Sequence, residues 1–191
     1  MGTNNYKVLS PAEGVSMNDA WYTFANENHF WLKWRLDTLM KFRQFLPKEG
    51  ATVLEIGCGN GIFLHQIETN FQYVSYGCDL NEKALGMIRF KSAGVFLYNI
   101  YDRNEDLLHK YDAVFLMDVI EHIEDDIDFL KVSSEYLKDD GVIIINVPAG
   151  QWLYSKYDRL AGHQRRYSKR LLEKIVADNN LRILKSAYWG F

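Results

Sequence analysis

The stretch Val53-Leu54-Glu55-Ile56-Gly57-Cys58-Gly59-Asn60-Gly61 decides how this chain is read. Val53, Leu54 and Ile56 form an apolar, partly β-branched run of the kind that makes a buried parallel strand. The run stops at Gly57, Gly59 and Gly61, and Ile62, Phe63 and Ile67 follow at helical spacing. The order is strand, tight glycine turn, helix. Glycine accepts positive φ and lets a ligand approach without a Cβ in the way. The helix opening after the turn offers free N–H groups and a positive dipole end.

Glycine turns of this kind serve nucleotide and dinucleotide sites alike. Two neighbours narrow the choice. Asp79 ends the next apolar run, 20 residues after Gly59. A carboxylate there can accept hydrogen bonds from ribose hydroxyls. Glu55 lies inside the strand, where its charge would repel a pyrophosphate and suit a phosphate-free cation. S-adenosylmethionine, with an ammonium and a sulfonium, is such a ligand. The G-x-G-x-G spacing, in place of G-x-G-x-x-G, agrees. A nicotinamide oxidoreductase is the rival enzyme class. Glu55, the spacing and the lack of a Tyr-x-x-x-Lys after the fourth strand speak against it; Tyr136 is followed by Leu137-Lys138.

From the turn outward, strands are expected at Thr52–Ile56, Tyr73–Cys78, Val95–Tyr98, Tyr111–Met117, Val142–Val147 and Leu181–Trp189. Helices are expected at Asn81–Lys91, Asp125–Leu137 and from Ser168 to about Asn180, with a turn at Lys138–Gly141. The alternation predicts an α/β, doubly wound, mainly parallel Rossmann-like sheet. Ligands in such sheets sit outside the carboxyl ends of the strands. Residues 1–16 have no period and read as a mobile arm. The aromatic stripe Phe30, Trp31, Trp34, Leu36, Leu39, Phe42 and Phe45 predicts a helix, with a break near Asn26–Asn28. Residues 1–46 are therefore an arm and helix, and residues 47–191 the core of a single domain.

With 191 residues, 48% of them hydrophobic, the chain can bury one sizeable core. The net charge of −3 and the mixed signs exclude a basic stripe for nucleic acid. No apolar run approaches the roughly 18 residues of a membrane span, and no signal peptide pattern opens the chain. A cytoplasmic location is expected. Cys58 and Cys78 read as buried thiols, and no residue set reads as a metal site.

Beyond these readings, VLEIGCGNG, Asp79, Asn99-Ile100-Tyr101-Asp102, YDAVFLMDVIEHIED, LKDDGVIIINVPA and GHQRRYS together resemble bacterial class I S-adenosylmethionine-dependent methyltransferases of the methyltransferase-11/12 type. The resemblance implies S-adenosylmethionine as cofactor and S-adenosylhomocysteine as product. It implies that Glu55, Gly57, Cys58, Gly59 and Gly61 meet the methionine portion, Asp79 the ribose and Leu80 the adenine. The acid that meets the adenine amino group falls to Asn99 or Asp102, on either side of Ile100. Met117, Asp118 and Val119 match the segment beside the methionine end. The N-terminal helix would be a lid over the cofactor or a packing helix, and it could equally serve a homodimer. The family's fold carries a seventh, antiparallel strand, for which no residues remain after Trp189; a shortened chain is expected.

His122 after the fourth strand is a candidate base or a packing residue. The long segment Pro148–Tyr167 follows the fifth strand, and long loops in compact domains are often functional. Its His163 is a candidate general base. Trp152, Tyr154 and Tyr157 would form an aromatic wall, and Arg165, Arg166 and Tyr167 would hold a carboxylate or phosphate of the acceptor. The expected function is methyl transfer to a small-molecule or lipid-linked metabolite, oxygen before nitrogen. A non-catalytic module binding the same cofactor is the alternative.

Overall fold

A computed structural model of the chain describes residues 5–12, 22 and 26–190. Its centre is a six-stranded sheet. In chain order the strands are β1 (Lys7–Val8), β2 (Thr52–Ile56), β3 (Val74–Asp79), β4 (Gly94–Leu97), β5 (Tyr111–Met117) and β6 (Leu137–Asn146). Every pairing is parallel, and the spatial order is β1-β4-β3-β2-β5-β6. The helices are α1 (Phe30–Lys41), α2 (Ile62–Phe71), α3 (Glu82–Gly86), α4 (Asp126–Ser134), α5 (Lys156–Ala161) and α6 (Lys169–Asp178).

Strand alternation explains the two layers. Leu54, Ile56, Val114 and Leu116 point to the face covered by Phe129 and Leu130 of α4 and Ile175 and Val176 of α6. Val53, Ala113, Phe115 and Met117 point to the other face, covered by Leu39 of α1 and Phe63, Leu64 and Ile67 of α2. Each large side chain buried this way contributes roughly 1.5–3 kcal/mol. The chain runs from β2 outward to β4, then crosses back to β5 and outward to β6. The order therefore reverses between β2 and β5, and the crevice for a ligand opens beyond their carboxyl ends. Among the described residues no helix is long and apolar enough to cross a membrane.

Three expectations need correction. Residues 5–12 do not behave as a loose arm: Lys7 and Val8 pair with Phe96 and Leu97 along the open edge of β4. Ser10, 3% exposed, donates to Asp102 and accepts from the Asn99 amide at 2.9 Å. Backbone groups on an exposed edge take any compatible segment as partner, and two residues are too few to carry a period. Residues 1–4 and 13–16 lie outside the described ones. Second, Lys138–Gly141 is no separate turn. It is a bulge within β6, where residues Leu137 and Val142 face Tyr111 and Ala113. Third, Leu181–Trp189 is not a strand. A strand needs a ladder partner, and here Trp189 is drawn instead onto Trp31, 4.6 Å between ring centroids, and its Nε1–H onto the Asn146 side chain at 2.7 Å.

The aromatic stripe of residues 30–41 is helical, and Asn26 closes the turn before it by accepting from the Asn28 amide at 2.9 Å. The remainder of the segment upstream, residues 17–21 and 23–25, lies outside the described residues. Cys58 and Cys78 are buried free thiols, raised well above the usual range by burial.

Candidate functional site

The glycine turn after β2 is held to the end of β3. The Gly57 and Cys58 amides both donate to the Cys78 carbonyl, at 2.8 and 3.0 Å. Gly57 has φ +78°, and a Cβ there would stand 2.7 Å from Val119 Cγ2, so the turn after β2 and the turn after β5 pack back to back. The Gly59 amide donates to Asp79 Oδ2 at 2.7 Å, and the Asn81 amide to Asp79 Oδ1 at 2.8 Å. Asp79 thus joins the glycine turn to the start of α3. Burial raises its carboxyl above the usual value against the pull of those two amides.

Glu55 sits under the turn with 3% exposure, and its Oε2 has no hydrogen-bond partner. Burial pushes its pKa well above normal, opposed by the Arg35 guanidinium and reinforced by Asp79 and Asp118. Arg35 enters from α1. It is buried, donates from Nη1 to Asp118 Oδ2 at 2.9 Å and lies over the Phe63 ring at 5.0 Å. Asp118 takes a left-handed backbone, φ +61°, at the end of β5 and accepts from Asn146 Nδ2 at 2.5 Å. Through Asn146 and Trp189, that ion pair is wired to the C-terminal segment.

Past β5, the turn Ile120–His122 turns Glu121 and His122 inward. Glu121 is fully buried, and burial, then Asp118, raises its carboxyl. Burial and the adjacent His163 hold the His122 imidazole below its usual value. The segment after β6 returns His163 to this turn: the Gln164 amide donates to the Glu121 carbonyl at 2.7 Å. Asp158 organises that segment. Its carboxylate accepts from Ser155 N–H at 2.8 Å, Arg166 Nε at 2.7 Å and pairs with His163 Nδ1 at 3.0 Å. Burial would raise Asp158, but the Arg166, Ser155 and His163 contacts outweigh it and hold the carboxyl well below the usual range.

One cavity of about 1080 Å³ joins these groups. Glu55, Gly57, Cys58, Gly59, Met117 and Asp118 line one part. Glu121, His122, His163, Arg166 and Tyr167 line another, and Trp31 and Arg35 of α1 close a side. Asp79, Leu80, Asn99, Ile100 and Asp102 are not part of its lining; they lie at or just after the ends of β3 and β4, with Asp79 tied to Gly59 of the lining. There Asn99 Oδ1 caps a short turn through the Tyr101 amide at 3.0 Å, Ile100 is buried, and Asp102 is engaged with Ser10.

The acceptor candidates are distributed differently from a single binding wall. Trp152 is 83% exposed and Tyr157 70%. Tyr154 donates to the His163 carbonyl at 2.6 Å. Arg165 is paired with Asp126 at 2.6 Å and Arg166 with Asp158. Buried Tyr167 donates its hydroxyl within 2.8 Å of Asp126 and 3.1 Å of the Ile120 carbonyl. Two residues of consequence escaped the sequence reading. Arg35 stands on the apolar stripe of α1, three residues after Leu32 and four before Leu39, and a lone cation on such a stripe is a signal. Asp158 completes a Ser-x-x-Asp capping box with Ser155, a legible pattern.

A family profile described as a methyltransferase domain matches residues 30–186. Ubiquinone biosynthesis O-methyltransferase of Neisseria meningitidis is 29% identical over 107 residues, 51% of this chain and 44% of that protein. Its counterpart in Hydrogenovibrio crunogenus is 26% identical over 152 residues, 75% of this chain and 63% of that protein. The chain thus spans about half the length of the first of these relatives. Among solved structures, a SAM-dependent methyltransferase from Archaeoglobus fulgidus superposes with a TM-score of 0.61 at 22% identity, covering 81% of this chain and 75% of that one. A Haemonchus contortus phosphoethanolamine N-methyltransferase 2, solved with phosphomonomethylethanolamine and S-adenosylhomocysteine, gives 0.61 at 22% identity over 75% of this chain and 36% of its own.

Proposed function

The chain belongs to the methyltransferase domain family, and from that premise we propose that it binds S-adenosylmethionine and methylates an oxygen of a small-molecule acceptor. The observation that carries the reading is Glu55: a buried carboxylate with a free oxygen at the foot of a glycine turn. A diphosphate bound there would face that charge unscreened, whereas an ammonium or sulfonium would satisfy it. Gly57 is required there because a Cβ would collide with Val119, so the turn keeps its place beside Glu55 only with glycine.

S-adenosylmethionine, when bound, supplies an electrophilic methyl on a cationic sulfur. The protein's part is to bind, orient and exclude water. Asp79, anchored by Gly59 and Asn81, presents its remaining lone pairs to a ribose. Arg35 keeps Asp118 in place, and α1 with Trp31 shields that side of the cavity. In this reading α1 acts as a lid over the cavity, while Lys7 and Val8 belong to the sheet of the core. The Glu121, His122 and His163 cluster faces the same cavity and suits removal of a hydroxyl proton from an acceptor. The O-methyltransferase relatives favour oxygen over nitrogen.

Calorimetric titration with S-adenosylmethionine, S-adenosylhomocysteine and NAD tests the reading. Micromolar binding of both adenosyl ligands and none of NAD is expected. Binding of NAD alone overturns it.

A further inference from the structure

Two polar side chains of the turn after β5, Glu121 and His122, are left without the partners that burial demands, and His163 stands against them. Glu121 is fully buried, and neither carboxylate oxygen has a hydrogen-bond partner. His122 Nδ1 is buried and equally unpartnered. His163 gives its Nδ1 to Asp158 at 3.0 Å, which leaves Nε2 as its outward nitrogen. Donor atoms of the three all lie within 4.8 Å of one another, and the imidazoles stand nearly perpendicular, 85°, at 4.9 Å. A buried polar group without a partner costs free energy. Two such groups converging with the imidazole of His163 describe a space in which a cation is the missing partner.

We propose that Glu121, His122 and His163 hold a divalent first-row transition-metal ion, of which zinc is the type. Two imidazoles and one carboxylate are a ligand set that suits zinc or iron, whereas magnesium and calcium call for more oxygens. The support around the ligands fits too. Metal-binding imidazoles usually give their other nitrogen to a carboxylate, which fixes tautomer and ring angle. Asp158 does this for His163 and is itself fixed by Arg166 and Ser155. The backbone bond from Gln164 to Glu121 holds the two ligand-bearing segments together. Ligands bound at about 2.1 Å stand roughly 3.0–3.5 Å apart, so the three side chains draw in by a rotamer-scale movement.

Three protein ligands leave a coordination position open, as catalytic zinc sites do. That position faces the cavity shared with Glu55 and Asp118. On the function proposed above, with the metal in place of the side chains as the means of deprotonation, an acceptor hydroxyl fits there and releases its proton to solvent more readily because the metal stabilises the oxyanion. The alkoxide or phenoxide oxygen then forms the C–O bond while the C–S bond breaks and its electron pair returns to sulfur.

The test uses the full chain stripped with a chelator and titrated with zinc by calorimetry, and with cobalt followed by visible absorption. One zinc per chain is expected. Glu121→Gln or His163→Ala should weaken it by more than about a hundredfold, and Asp158→Asn, which leaves all three ligands, by about 10–100-fold. Thermal unfolding of each metal-free variant verifies its fold, and the wild-type titration stands whatever the variants do. No zinc uptake up to about 0.1 mM, or uptake unchanged in folded ligand variants, overturns the site. The same preparation is titrated with S-adenosylhomocysteine: binding of that ligand without zinc refutes only the metal, and zinc without that ligand refutes only the methyltransferase reading.

Discussion

Replacing Arg35 with alanine should unfold the balance of charge at the heart of the cavity. Its side chain is 8% exposed, pairs with Asp118 at 2.9 Å and lies over Phe63. Removing one partner of a fully buried ion pair typically costs about 3–5 kcal/mol. Asp118 keeps a third of its side chain exposed and retains the Asn146 hydrogen bond, so water screens part of the loss. A destabilisation of roughly 2–3 kcal/mol follows after that discount. Urea unfolding, read by the fluorescence of the tryptophans on α1 and at position 189, would show it as a midpoint about 1 M lower at an unchanged slope. The loss should depend on pH. Glu55 is an acid whose folded pKa burial has already raised, with Arg35 opposing the shift. Without Arg35 that pKa rises further. An acid with a raised folded pKa destabilises the fold above its unfolded value near 4.3, and the penalty disappears as pH falls through it. Both proteins carry the same Glu55 penalty until pH reaches the wild-type folded pKa, so the gap between wild type and variant should widen as pH rises through that value and narrow as pH falls below it. A variant less than about 0.5 kcal/mol weaker, or a gap independent of pH, would refute the reasoning.

Glu55→Gln should raise stability at neutral pH, because it removes a poorly compensated buried carboxylate, while weakening S-adenosylhomocysteine binding about tenfold to a hundredfold, since a hydrogen bond to a charged group contributes about 1.5–3 kcal/mol; paired denaturation and calorimetry would detect a failure of either half. Cofactor binding should release protons, because burial raises Glu55 and Asp79 and a cationic, hydroxyl-rich ligand lowers them again, so affinity weakens as pH falls. Calorimetry in buffers of different ionisation enthalpy reads that release, and a buffer-independent heat contradicts it. Tyr167→Phe removes a buried hydrogen bond to Asp126 and the Ile120 carbonyl, which keep Arg165 and the Ile123 amide as donors, and should lower stability by about 0.5–1.5 kcal/mol; a loss well above that in urea unfolding would contradict it.

Local chemistry determined much of this protein in advance. The strand, glycine turn and helix at Val53–Ile67 were legible because period, β-branching and glycine act within a few residues. Asp79 and Asp118 were legible because parallel strands deliver their last residues to one edge. Both capping serines, Ser155 and Ser168, obey rules spanning three residues. What the sequence could not carry was pairing at a distance. Arg165 and Arg166, read as free cations for an acceptor, are taken by Asp126 and Asp158, and only the fold brings those acids within reach. Lys7 and Val8 become strand because β4 leaves an edge open, and Leu181–Trp189 stays out of the sheet because Trp189 finds Trp31 and Asn146. His163 lies 41 to 42 residues from His122 and Glu121 along the chain. Their convergence depends on where β5 and β6 end, and on one backbone hydrogen bond from Gln164. Short-range periodicity and turn chemistry thus settled the elements and the cofactor edge. Apart from Asp158 and its capping Ser155, the partners of the buried charges were decided by tertiary structure, because a Coulomb or hydrogen-bond partner is chosen by distance in space rather than by spacing along the chain.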